Sequence, residues 1–471
     1  MNQSKNHYLA EEPIKKLMLK FSIPCIMSLL VSSLYNIVDQ IFIGQGVGYL
    51  GNGATNVVFP ITIIALSIAL MIGDACAAFL SICQGKKDAK SAHHSVGNAI
   101  VLLVGVSILL VVAFFLGRDT ILTAFGATKN NLPYAETYFN YIVIGIPFFI
   151  FGNGLNSIVR ADGNPKFAML TILAGCIINV VLDPIAIFVL KWGMAGAAIA
   201  TITGQIVSAL FAFYYLFHTK SFKLSKESFK LSANIVKRML PLGVSSFLTQ
   251  ISIVVSLGVI NNTLVTYGAM SKYGADIPMT VVGIVFKLFQ IVVAVVVGIA
   301  AGSQPIVGYN YGAGRHGRVK EIYRVMIKAE IVVGIVATIC FEIFPLQIIK
   351  LFGSESALYN EFAVFAFRAY LCTMILCCIQ KATSIFLQSL GRPVMSMGLS
   401  LLRDFVISVP AIIILPKFFG VKGPLYSAPL ADIISMIAVV IMMTIVWKQL
   451  NLHYGTEVEE NPVVEMKLQE D

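Results

Sequence analysis

The stretch IINVVLDPIAIF, Ile177 to Phe188, lies in a run of 24 residues between Lys166 and Lys191 that holds one charged side chain, Asp183. An asparagine, Asn179, stands one helical turn before that aspartate, and Pro184 follows it directly. A run this long and apolar reads as a membrane span, because a bilayer core about 30 Å thick takes roughly 20 apolar residues per helix. A carboxylate inside such a span needs a partner, a water-filled cavity or a function.

The rest of the chain has the same character. Of its 471 residues 57% are hydrophobic and 12% charged, with mean hydropathy +0.84; soluble domains are about 25% charged. Twelve candidate spans fall at 17–43, 55–83, 96–116, 136–158, 167–190, 194–217, 240–264, 278–306, 325–346, 362–387, 394–415 and 425–447. The fold class is an all-α polytopic membrane protein. A net charge of +10 could signal nucleic acid, but basic residues collect on the cytoplasmic side of membrane proteins. With the N-terminus inside, the inner segments hold 23 of the 34 Lys and Arg residues and the outer loops 7. Both termini are therefore expected in the cytoplasm of a prokaryote, with the lipid bilayer as partner and no nucleic acid. The polar N-terminus precedes an apolar run too long for a signal peptide. The eight cysteines show no metal-ligand spacing and read as core residues.

Self-comparison reveals a repeat. Gly85 matches Gly312, Phe125-Gly126 matches Phe352-Gly353, and Gly193 and Gly196 match Gly420 and Gly423, all 227 residues apart. GNP at 163–165 and GRP at 391–393 are 228 apart. Each half holds six spans, an even number, so both enter from the same side and form a parallel repeat. The expected organisation is a six-helix lobe (1–217), a basic cytoplasmic linker (218–237), a second six-helix lobe (238–450) and an acidic cytoplasmic tail (451–471). A V-shaped central cleft between the lobes is the expected substrate path.

The chain has no phosphate-binding loop and no HExxH zinc site, so any pumping is expected to run on an ion gradient. In the first half the intramembrane acids are Asp39, in SLYNIVDQIF, and Asp183. At about 1.5 Å per helical residue, both fall in the outer half of the membrane at similar depth. Asn179 shares the Asp183 face at i, i+4, and Thr201 reaches the same level on the sixth span. Two carboxylates, an amide and a hydroxyl in a low-dielectric site can hold a sodium ion through hard oxygen ligands or share protons. Pro184 can bend the fifth helix at that point. The second half lacks both acids at the repeat positions, which fall near Ser256 and Val409. Its own mid-depth ions, Lys287, Arg403 and Asp404, are expected to be structural, with Lys287 paired to Asp404. Asp74 is expected near the inner end of span two, solvated or paired with a loop cation.

RADGNPKFAMLTILAGCIINVVLDPIAIFVLKWGMAGAAIATITGQ (160–205), LYNIVDQIFIG (34–44) and GSQPIVGYNYGAGRHGRVKE (302–321) resemble segments of the multidrug and toxic compound extrusion (MATE) transporters. The resemblance covers nearly the whole chain in order, and matches the bacterial branch with an acidic pair in its N-terminal lobe. It implies a monomeric antiporter, not an enzyme, that needs no cofactor beyond its coupling ion, H+ or Na+. It would export amphipathic small molecules, often cationic, across the cytoplasmic membrane. It assigns the ion and proton positions to Asp39, Asn179, Asp183 and Thr201, and cavity positions to Tyr35, Tyr138 and Asn156. Flippases for lipid-linked oligosaccharides in the same superfamily are the alternative; a channel fits the duplicated halves and buried acids less well.

Overall fold

Helix boundaries in this chain are set by glycines that turn the backbone and prolines that start the next helix. The computed structural model describes residues 7–125, 127, 129–274, 276–350 and 356–460, and among them every regular element is helical. The first half contains α1 (Ile14–Gly46), α2 (Tyr49–Gly85), α3 (Ala89–Ala124), α4 (Leu132–Ala161), α5 (Pro165–Pro184) and α6 (Gly193–Tyr215). The second contains α7 (Val244–Ala269), α8 (Asp276–Gly312), α9 (His316–Ile343), α10 (Ala357–Leu371), α11 (Met374–Ser389), α12 (Pro393–Leu401) and α13 (Ser427–Glu460). The end of the acidic tail, 461–471, lies outside the described residues.

Nine described helices are long and apolar enough to cross a membrane, or ten when α10 and α11, bent by 42°, count as one span. The apolar stretch Pro393–Asn451 enters that number once. It reverses direction, because Arg403 and Asp432, 29 residues apart, meet at 2.8 Å. Its two limbs are separate spans. The 28-residue α9 is about 42 Å long, but Arg318, Lys320, Arg324, Lys328 and Glu330 lower its hydropathy. With these included, the twelve spans read from the sequence are accounted for.

The repeat is written in the backbone. Gly48 and Gly274 (φ 95° and 70°), Lys87 and Gly314 (60° and 75°), Gly163 and Gly391 (86° and 72°), and Gly193 and Gly420 (56° and 58°) all take positive φ. Such a conformation is rare outside glycine. Four pairs at offsets of 226 to 228 mark the same turns in both halves. After Gly163 and Gly391, Pro165 and Pro393 occupy the first turn of the next helix, where a missing N–H costs nothing.

The two six-helix lobes have separate apolar cores. Val58, Ile61, Leu103, Phe139 and Ile150 belong to the first; Ile260, Val285, Phe362 and Phe367 belong to the second. The start of the chain breaks the expected boundary. Leu9, Leu17 and Phe21 pack with Ile306, Val307, Val319 and Ile322 of the second lobe. Asn310 Nδ2 donates to the Leu9 carbonyl at 2.9 Å and Arg315 to that of Ala10 at 2.7 Å. The linker is docked on the first lobe. Asp162 accepts from the Lys220 and Ser221 amides at 2.7 and 2.8 Å, and Ser232 N donates to Asn98 Oδ1 at 2.7 Å.

The lobes touch at the end that carries the linker. A Cβ on Gly298 or Gly302 of α8 would lie 2.8 or 2.7 Å from the Cα of Ile26 or Ser22 of α1, so only glycine allows this approach. Asp74 of α2 adds polar contacts there. It accepts from Ser157 at 2.6 Å, from Arg160 at 3.5 Å and, across the lobe boundary, from Ser246 of α7 at 2.9 Å. Towards the other end the lobes part and leave the V-shaped cleft.

The second-lobe charges are paired differently from the expectation. Arg403 donates to Asp404 at 2.7 Å and to Asp432 at 2.8 Å, and Lys381 lies 3.9 Å from Asp404. Lys287 is exposed and is not among these partners. Asp404 takes Arg403 because the π turn Leu402–Ile407 puts the two neighbours on one buried flank. Removing one member of a buried ion cluster leaves unpaired charge, at a cost of about 3–5 kcal/mol. Arg403→Met is therefore expected to lower the thermal midpoint of the purified protein by several degrees, and Lys287→Met to leave it within a degree or two. Fluorescence-detected unfolding in detergent measures both.

Candidate coupling site

Close packing of α5 on α6 builds the site. A Cβ on Gly204 would lie 2.5 Å from the Gly175 carbonyl oxygen, and one on Gly175 2.7 Å from that of Gly204. The two backbones therefore meet, and Asn179, one turn beyond Gly175, is pressed against Thr201. The Asn179 amide is satisfied on both sides when its NH2 donates to Asp183 Oδ2 at 3.2 Å. Its oxygen then accepts from Thr201 N at 3.2 Å and Thr201 Oγ1 at 3.3 Å.

Asp39 of α1 enters from the other side, and its carboxyl lies beside that of Asp183. Both are buried, with 8% and 0% of their surface exposed, and Oδ1 of each has no protein partner. No Lys, Arg or His among the described residues forms an ion pair with either acid. Two facing carboxylates repel in a low-dielectric site, so the arrangement requires a proton shared between them or a cation bridging them. The unpartnered oxygens, together with those of Asn179 and Thr201, are hard donors that fit a sodium ion as well as a proton.

Around this centre, Tyr138 is buried beside Asp39, Asp183 and Thr201, and Tyr35 lies near Asp39, Asp183 and Cys176. Phe42, one turn beyond Asp39, packs edge-to-face on Phe188 at 6.2 Å and covers the far side. Pro184 has no N–H, and the chain after it widens into a π turn, Ile185–Val189, closed by Leu190 N to the Ile185 carbonyl at 2.9 Å. The distortion expected at this proline is thus a widened turn directly beside Asp183. Such turns recur at functional sites.

Asn156 lies apart from the acid pair and lines a smaller first-lobe cavity with Ser28, Asn153, Ser157 and Arg160. Its Nδ2 donates to the Ala168 carbonyl at 2.6 Å and to Thr171 Oγ1 at 3.0 Å, and its Oδ1 accepts from Arg160 at 3.3 Å. It ties α4 to the start of α5 instead. Asp74 is bound by Arg160, a residue of α4 and not a loop cation. Sequence reasoning passed over Glu330, which is fully buried with both carboxyl oxygens unpartnered. Its position at the end of a basic run on α9 disguised it as one of that run's solvated charges.

The MatE family model matches residues 24–185 and again 251–414. The chain belongs to the MatE family. Its two matched blocks coincide with the two halves of the repeat. The multidrug export protein MepA of Staphylococcus aureus (strain NCTC 8325 / PS 47) is 24% identical over 469 residues, covering 98% of this chain and 100% of that protein. The protein of that name from Staphylococcus saprophyticus is 25% identical over 452 residues, covering 94% and 96%. Among solved structures, an outward-facing multidrug resistance MATE transporter of the MOP superfamily matches with TM-score 0.88 at 23% identity. That match covers 96% of this chain and 99% of that one. A MATE structure in complex with MaL6 matches with TM-score 0.86 at 22% identity, covering 96% and 100%. These likenesses establish the MatE fold.

The Gly175–Gly204 contact gives a test of the site's construction. Gly204→Val must push α5 off α6, with overpacking that costs about 1–3 kcal/mol. It is expected to lower the thermal midpoint and abolish gradient-driven transport. Gly105→Ala, whose new Cβ would meet nothing within 4 Å, is expected to change neither. Unfolding curves and vesicle transport check the pair.

Proposed function

We propose that this chain is a cation-coupled antiporter that exports amphipathic, often cationic compounds across the cytoplasmic membrane by alternating access. The observation that carries this reading is the Asp39–Asp183 pair, two buried facing carboxyls with unpartnered oxygens. An inserted structure does not keep such a pair unless a mobile positive charge occupies it in part of its cycle. Full-length likeness to MepA, a multidrug export protein, supports export of small molecules over flipping of a lipid-linked sugar.

The mechanism follows from electrostatics. With a proton or sodium ion at the pair the site is satisfied; without it, the negative charge attracts a cationic substrate into the cleft. Ion and substrate then oppose each other through one site, and by linkage each weakens the other by the same factor. The π turn beside Asp183 lets occupancy alter the shape of α5 as well as its charge. The basic residues of the linker support a cytoplasmic position for the end where the lobes touch, with the cleft open to the outside in this state. Reversal of access requires the α1–α8 glycine contact and the Asp74–Ser246 bond to part.

Proteoliposomes under separately imposed sodium and pH gradients test the reading. Wild-type protein is expected to drive efflux of a fluorescent cation such as ethidium under one gradient. Asp39→Asn and Asp183→Asn are each expected to reduce gradient-driven efflux at least tenfold at equal membrane content. Wild-type response in both variants would remove these acids from coupling.

A further inference from the structure

Lys287 stands apart from the buried second-lobe ion network. Lys381, Arg403, Asp404 and Asp432 balance as two cations and two anions and bond to each other. Lys287 is exposed, and among the described residues it has neither an ion pair nor a hydrogen bond. It nevertheless lies well inside α8, eleven residues from each of two landmarks, Asp276 at the helix start and Gly298.

Its direction can be read from the helix. Gly298 and Gly302 touch α1 of the first lobe, so their stripe faces across the lobe boundary. Eleven residues are about three turns, which puts Lys287 within about 20° of Gly298 around the axis. Thr280 and Gly283 fall on the same stripe. All three are exposed, whereas Ala294, Gly298 and Gly302 are buried. A Cβ on Gly283 would meet nothing within 4 Å. The opposite face, with Val281, Val282, Val285 and Val296, packs into the second-lobe core. One stripe therefore runs from the lobe contact up the open wall of the cleft, and Lys287 stands on it.

Depth follows from the same contacts. Ile26 pairs with Gly298 and Ser22 with Gly302, so α1 and α8 run antiparallel, and residue 37 of α1 is level with Lys287. Asp39 is two residues further, about 3 Å. The acid pair behind one wall and the ammonium on the other therefore lie at one level of the cleft. Opposite Lys287, the α1 stripe that begins with Ser22 and Ile26 continues through Ser33, Ile37 and Gln40, all within about 40° of Ile26 around the axis. No anionic side chain on that stripe neutralises the ammonium.

We infer that Lys287 is a specificity-determining residue that binds an anionic group of the transported molecule. The favoured substrates are amphipaths that carry a carboxylate beside an apolar ring system and an amine. The carboxylate pairs with Lys287, the ring lies over Ile37 between Ser33 and Gln40, and the amine is drawn towards the Asp39–Asp183 side. This rests on the antiporter reading and adds the chemical class it prefers.

Rhodamine 110, with a free carboxylate, and rhodamine 123, its methyl ester, differ at the deciding group. Binding of each to purified wild-type protein, Lys287→Gln and Lys287→Glu is measured by fluorescence polarisation in detergent. Lys287→Gln is expected to weaken rhodamine 110 about tenfold while rhodamine 123 holds or tightens, and Lys287→Glu to reverse the order of the two dyes. Lys287→Arg should restore most of the loss. An unchanged ratio of the two affinities in Lys287→Gln overturns the inference, as does a wild-type protein that binds neither dye. Ethidium efflux under an imposed gradient, measured on the same preparation, shows whether the antiporter reading falls with it.

Discussion

Two carboxyl groups facing each other in a low-dielectric interior need a positive charge between them, and among the described residues no Lys, Arg or His side chain provides it. Asp39 and Asp183 are buried, each with an oxygen that no protein group satisfies. The rest of the first lobe supports that condition. The α5–α6 glycine contact brings Asn179 and Thr201 to Asp183, Pro184 and its π turn loosen the helix beside it, and Phe42 with Phe188 covers the far side. In the proposed mechanism a positive charge taken from solution completes the site, and its occupancy follows the ion gradient.

The second lobe repeats the turns and reverses the electrostatic solution. Its buried ion cluster carries both signs on side chains: Arg403 is held between Asp404 and Asp432, with Lys381 alongside, while Glu330 lies apart from it. That network is complete in itself and gives the lobe rigidity without an exchangeable member. Duplication thus supplied two similar helix bundles, and the first carries the acid pair on which the proposed coupling rests. The glycine contacts of α1 and α8 at the linker end fix how the halves meet and leave the cleft open at the other end.

Much of the fold was legible because its signals are local. Apolar runs marked the spans, and the glycines at constant offset marked turns that do take the same left-handed backbone. The acids Asp39 and Asp183 stood out as charges in apolar runs, and depth counting put them at one level. Pair identities were less legible. Asp404 takes its own neighbour Arg403 because a π turn changes which way adjacent side chains point, and no periodicity announces that turn. Asn156 lies on the same face of α4 as the cavity positions, yet the approach of α5 consumes its hydrogen bonds. The packing of Leu9, Leu17 and Phe21 into the second lobe is a long-range choice between two apolar cores that composition does not distinguish. Glu330 was hidden by the basic residues before it.

The account depends on a single exchangeable charge at the Asp39–Asp183 pair. Calorimetric titration of ethidium into purified protein, in two buffers of different ionisation enthalpy and with or without sodium, counts what leaves the pair when a cation enters the cleft. The account predicts either proton release or a sodium-dependent loss of affinity in the wild-type protein, and neither in Asp39→Asn or Asp183→Asn. Ethidium binding in the wild type that releases no proton and ignores sodium would contradict it.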